Sequence, residues 1–181
     1  MTTQAADGAE FIAAPSGTHL YTRFCAALAR FCLRLGVAGM CLLIVAVLYQ
    51  VVGRYIFNDT PTWAESGAVL LVLYVTMLGM AVGVRDAGHI GLESFLVLAP
   101  EKVRLVMERL IHVLVFVFGG VMAWQCGVLA HSVWSYNIPT LGISEAFKYI
   151  PPAIAGVLVA LFSLEHLIAL ARGEEVEPSW H

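Results

Sequence analysis

Charge is what this sequence has least of. Asp, Glu, Lys and Arg make up 13% of its 181 residues, hydrophobic residues 60%, and the mean hydropathy is +0.83. A soluble domain carries about 25% charged residues, so this chain has roughly half the charge that a water-facing surface needs. A soluble enzyme and a disordered tail are excluded on that ground, and a net charge of -3 offers nothing to a nucleic acid. Cysteine is also sparse. Cys25, Cys32, Cys41 and Cys126 form no CxxC pair and all lie in apolar stretches, so they read as small packing residues and imply no disulfide framework. There is no phosphate-binding glycine loop, no HExxH, no paired midplane carboxylates and no nucleophile with a base, which argues against an enzyme. Nor do two broken helices face one another at mid-membrane, the usual mark of a transporter's substrate site.

What is present are four long apolar runs. About 20 apolar residues cross a hydrocarbon core about 30 Å thick. Leu35 to Gly53 and Ser66 to Val84 hold no ionisable side chain. The run from Leu110 to Tyr136 holds only His112 and His131, and the fourth runs from Tyr149 to Ala171, interrupted by Glu165 and His166. The expectation is an all-α integral membrane protein with spans at about 35–53, 66–84, 110–136 and 149–171 within a membrane domain of residues 21–172. Residues 1–20 are expected to form a flexible tail, without the basic stretch and apolar core of a cleavable signal peptide, and residues 173–181 a second tail.

Basic residues orient these spans. Arg23, Arg30, Arg34, Arg85, Lys102, Arg104, Arg109 and Arg172 fall on one side of the predicted topology, and only Arg54 and Lys148 on the other. By the positive-inside rule both termini are expected in the cytoplasm. Tyr55, Trp63, Trp134, Tyr136 and Tyr149 crowd the opposite boundary as an interfacial aromatic belt.

Short amphipathic segments flank the spans on the cytoplasmic side. Phe24, Leu28, Phe31 and Leu35 recur at helical spacing, with Arg23, Arg30 and Arg34 on another face, as in a cationic helix that lies on the inner leaflet or extends span one. Leu92, Phe95, Leu96 and Ala99 form a second apolar stripe that Pro100 stops. Span three is expected to begin near Glu101, with Arg104 and Glu108 pairing at i,i+4. The two outer connections, Arg54 to Glu65 and Asn137 to Lys148, are too short to form a receptor domain.

Few residues remain that could carry function. Gly79 and Gly83 form a GxxxG step in span two, and Gly119, Ala123 and Gly127 a four-residue ladder in span three. Such ladders allow close helix approach, either within the chain or with another membrane subunit. Glu165 and His166 sit in the inner third of span four. Intramembrane ionisable residues are functional candidates, and Glu165 has three readings: a structural pair with Arg109, a partner-facing group, or a proton- or ion-carrying site. Glu65 caps the outer start of span two, within pairing reach of Arg54, and Trp63 beside it is an interfacial anchor. His112 and His166, at similar depth on neighbouring spans, keep open a haem b anchor of an oxidoreductase. A small antiparallel multidrug exporter is disfavoured by the strong basic bias and the acid-free first span.

One family gathers these features. Arg54-Tyr55-Ile56-Phe57, Trp63-Ala64-Glu65, Gly79, Arg85 with His89-Ile90, Leu98-Ala99-Pro100 and Pro139-Thr140-Leu141-Gly142-Ile143 resemble the small membrane subunit of tripartite ATP-independent periplasmic (TRAP) transporters over about residues 35–171. Two departures are Ser66, where the family often has a second acid, and Gly91-Leu92-Glu93 after the His-Ile pair. The resemblance implies a subunit of the bacterial inner membrane that scaffolds a large permease and works with a soluble periplasmic binding protein. It further implies symport of an organic acid with sodium ions bound in the large subunit, no cofactor, metal or substrate site in this chain, and phospholipids as its other contacts. Arg54, Tyr55, Trp63, Glu65, Gly79, Gly83, His89, Gly119, Ala123, Gly127 and Glu165 are the candidate interface or structural residues.

Overall fold

A computed structural model describes residues 16–58, 62–86 and 101–172. Among these, four helices are long and apolar enough to cross a membrane: α1 (Ser16–Ile56), α2 (Thr62–Asp86), α3 (Glu101–Ser132) and α4 (Ile150–Arg172). A single 3₁₀ turn, Glu145–Lys148, leads into α4. The described residues contain no strand, only an isolated bridge between Asn137 and Ser144.

Helix α1 runs unbroken for 41 residues, about 62 Å at 1.5 Å per residue, well beyond the thickness of a bilayer. The segment around Arg23–Arg34 therefore extends span one. Of the expected apolar stripe only Leu28 packs against the core; Phe24, Phe31 and Leu35 are exposed, so the stripe is not the packed side. Instead Cys25, Ala29 and Cys32 are buried, spaced so that small side chains let α1 lie close on its neighbours. Cys41 is exposed and Cys126 half-buried, and all four cysteines are free.

The buried core sits toward one end of the bundle. It gathers Cys25, Ala29 and Cys32 of α1, Ala81 and Val82 of α2, and Ala155, Leu158, Val159 and Phe162 of α4. Helix α4 is the central element: 39% of its most apolar window is buried, against 6% in α1 and in α3. The many exposed Leu, Val, Ile and Phe side chains of α1 and α3 mark faces suited to lipid or another membrane subunit. The end at which α1 begins, and at which α2 and α4 finish in Arg85 and Arg172, is here called the basic end, and the opposite one the aromatic end.

At the aromatic end the chain turns from α3 into α4 through a compact corner. Helix α3 stops at Ser132, and Trp134 and Tyr136 fall in the following turns. The Ile138 N–H donates to the Ile143 carbonyl at 2.8 Å, and the Glu145 N–H to the Tyr136 carbonyl at 2.7 Å. Gly142 closes the loop at φ +66°, a conformation that costs glycine little and side-chain-bearing residues more. Ser144 Oγ accepts from the Ala146 N–H at 3.2 Å, capping the 3₁₀ turn, and donates to the Trp134 carbonyl at 2.7 Å. Pro151 lies in the first turn of α4, where its missing N–H is tolerated.

Candidate functional site

Beside the buried Asp86 side chain, the described chain buries Arg85 and Glu165, each 2% exposed as a residue. They meet across α2 and α4 as a two-pronged pair: Arg85 Nε donates to Glu165 Oε2 and Nη2 donates to Oε1, both at 3.0 Å. The third prong, Nη1, donates to Asp86 Oδ1 at 2.9 Å. A planar guanidinium fork matches a carboxylate in this way better than an ammonium does. Glu165 is therefore paired with Arg85, not with Arg109, which is exposed on α3. Its side chain faces into the chain.

Around this pair α1, α3 and α4 are also tied. The Tyr21 hydroxyl of α1 donates to the Leu161 carbonyl at 2.9 Å, one turn before Glu165. His166 Nε2 lies 2.9 Å from the Arg85 carbonyl, and its ring stacks on His112 of α3 with centroids 4.8 Å apart and planes 6° from parallel. Ser163 Oγ donates to the His112 carbonyl at 2.6 Å. Two axial haem ligands must aim nitrogen atoms at one iron from opposite faces of the macrocycle. A face-to-face histidine stack leaves no slot for that plate, so this pair does not fit a haem b site.

The two glycine ladders differ. A Cβ built on Gly156 of α4 would stand 2.6 Å from the Ala123 nitrogen and 2.7 Å from the Gly119 oxygen. One built on Gly119 would stand 2.8 Å from Gly156 O and Ala160 N. Backbone meets backbone here, so Gly119 and Ala123 are packed inside the chain, and Gly156 is the partner that sequence reasoning missed. Its signal was the four-residue step from Gly156 to Ala160, the same small-residue spacing as in α3. Gly127, farther along α3, lines an open groove of about 380 Å³ with Ala123, Trp124, Val128 and His131. Gly79 and Gly83 of α2 would accept a Cβ with nothing within 4 Å. That GxxxG step does not pack within the described chain.

At the aromatic end, Arg54, Tyr55, Trp63 and Glu65 are all exposed. Among the described residues Arg54 and Glu65 form no ion pair. Trp63 instead packs on Tyr49 of α1, centroids 5.8 Å apart, and the next turn of α2 is tied to the corner by a 2.6 Å hydrogen bond between Ser66 and Thr140. Glu65 lies in the first turn of α2, where a carboxylate favours the helix dipole. The pair foreseen on α3 is present, with Arg104 Nε donating to Glu108 Oε1 at 2.7 Å. His89 and the stripe from Leu92 to Ala99 lie outside the described residues.

Four membrane-length helices tied to one another describe an integral membrane protein, and its relatives are of that kind. Residues 43–173 match the family described as Tripartite ATP-independent periplasmic transporters, DctQ component, and the chain belongs to it. It is 26% identical to the sialic acid TRAP transporter small permease protein SiaQ of Vibrio cholerae over 74% of this chain and 77% of that protein. It is also 30% identical to the sialic acid TRAP transporter permease protein SiaT of Haemophilus influenzae, over 74% of this chain but only 22% of that one. A putative TRAP transporter small permease protein of Haemophilus influenzae is 21% identical over 72% of this chain and 81% of its own length.

Proposed function

We propose that this chain is the small membrane subunit of a sodium-coupled, binding-protein-dependent transporter for an organic acid, and that it scaffolds a large permease in the bacterial inner membrane. The observation that carries the reading is the Arg85–Glu165 clasp: the charges buried in the described bundle bind one another, as suits a static body rather than a translocation path. The match to about a fifth of the longer permease SiaT supports a large membrane partner, because there a segment like this chain belongs to a longer permease polypeptide. Relatives named for sialic acid and for C4-dicarboxylate support the organic acid class. The substrate and sodium ions belong to the large subunit on this reading, and the soluble periplasmic protein delivers the substrate.

Both termini lie in the cytoplasm on the same reading, which puts the basic end inside. Copurification from native membranes tests the assembly: a tagged chain should bring down a large polytopic permease. Recovery of the chain alone, with uptake reconstituted by it alone, would contradict the proposal. For topology, single cysteines at Asn58 and Asn137, in a background lacking the native four, should react with an impermeant maleimide in whole cells. Labelling near Glu174 instead would reverse the orientation.

A further inference from the structure

Arg23, Arg30 and Arg34 form one face of α1 that the clasp and the seams leave untouched. At 3.6 residues per turn, positions i, i+7 and i+11 fall within about 40° of each other and span about 16 Å of helix. All three side chains are exposed, and none has an ion-pair partner among the described residues. Helix α1 contains no acidic residue anywhere along its length. The opposite face is the buried seam of Cys25, Ala29 and Cys32, so packing against α2 and α4 fixes the direction in which the arginines point.

The flank of this stripe is apolar and open: Phe24 is 59% exposed and Phe31 58%. Arg34 is the last charged residue before the uncharged run from Leu35 to Gly53, so the stripe ends where hydrocarbon begins. A cationic face bordered by exposed aromatics suits the boundary between headgroups and acyl chains. Guanidinium forks take phosphate oxygens in two-pronged bonds, and the aromatic flank takes the chains beneath them.

We infer that Arg23, Arg30 and Arg34 form a binding face for the phosphates of anionic phospholipids at the basic end of the bundle. This lipid face fixes the depth and tilt of a helix far longer than the bilayer is thick. It does not depend on which leaflet the basic end occupies, so the maleimide test of topology can fail without touching it.

The test titrates the full-length chain, purified in a neutral detergent, with phosphatidylglycerol and separately with phosphatidylcholine, and counts bound lipid by native mass spectrometry. The wild type should prefer phosphatidylglycerol, and glycerol phosphate at the same concentration should not displace it. Arg23→Gln/Arg30→Gln/Arg34→Gln should weaken phosphatidylglycerol binding roughly fivefold per arginine, on the order of a hundredfold in all, and leave phosphatidylcholine unchanged. The matching triple lysine variant should keep a charge-driven preference for phosphatidylglycerol but bind it more weakly than the wild type, since an ammonium makes no two-pronged bond. Equal phosphatidylglycerol binding by the wild type and the glutamine variant would overturn the inference. So would shielding of the arginines from an arginine-reactive glyoxal that needs copurified permease and is the same in either lipid, since that would assign the face to an acidic protein surface. If the triple variant does not fold, Arg30→Gln alone decides: a fivefold loss supports the lipid face and no loss overturns it.

Discussion

Helix α2 carries a carboxylate near one end and a guanidinium at the other, and the bundle treats them oppositely. Arg85, at the basic end, is buried and bound by both oxygens of Glu165 on α4. Glu65, at the aromatic end, is exposed and has no cation beside it in the described structure. Cohesion at the basic end comes from charge and small side chains drawn from three helices. At the aromatic end it comes from backbone hydrogen bonds of the 136–149 corner, one hydroxyl pair and a Tyr49–Trp63 contact. The difference shows where the chain holds itself together and where it leaves surface for other contacts.

Breaking the clasp should have the largest effect. Glu165→Gln takes the main partner from buried Arg85, and Arg85→Gln takes the guanidinium from both the Glu165 and Asp86 carboxylates, each change costing about 3–5 kcal/mol. Unfolding of the full chain in mixed micelles should show that loss, and a change below about 1 kcal/mol would place the pair in a solvated environment. Next comes Gly156→Ala, which forces a methyl group against the Ala123 and Gly119 backbones and should cost about 1–3 kcal/mol in the same measurement. The identical change at Gly79 or Gly83 meets open space. There it should leave stability unchanged or raise it by up to about 1 kcal/mol, because alanine is the better helix former. A loss at Gly79 as large as that at Gly156 would erase the distinction between the two ladders. The smallest effect belongs to the exposed charges. Arg104→Gln should cost about 0.3–0.5 kcal/mol by losing its i,i+4 partner, and Arg54→Gln should show no coupling to Glu65→Gln in a double-mutant cycle.

The four helices were legible because hydrocarbon is an unforgiving solvent: a run such as Leu35 to Gly53, without a charge, has few other homes. The i,i+4 pair of Arg104 and Glu108 was legible because helical spacing alone brings the two side chains together. The partner of Glu165 was not. Sequence gives a residue's depth in the membrane but not the azimuth of its helix, so sequence reading names Arg109 as the partner and passes over Arg85, also near the basic end; the packing of α2 on α4 selects Arg85. The ladders carried the same ambiguity. Four-residue spacing defines a flat face and is silent about what covers it: Gly119 is covered by Gly156, and Gly79 by nothing in the described chain. In α1 the reading of Cys25 and Cys32 as packing residues holds, but it passes over Ala29 between them, and the seam the three form is set by a packing azimuth that the sequence does not give.

The central claim is that Arg85 and Glu165 act as one cross-link holding α2 to α4. A double-mutant cycle in Arg85→Met and Glu165→Met, read as unfolding free energy of the full chain in mixed micelles, tests it most directly. Each single variant should lose about 3–5 kcal/mol, and the double variant should lose less than the sum, because apolar side chains of similar size replace the buried Arg85–Glu165 pair and only the Asp86 contact with Arg85 Nη1 is lost besides. Losses that simply add would contradict the claim and show the two side chains to be independently solvated.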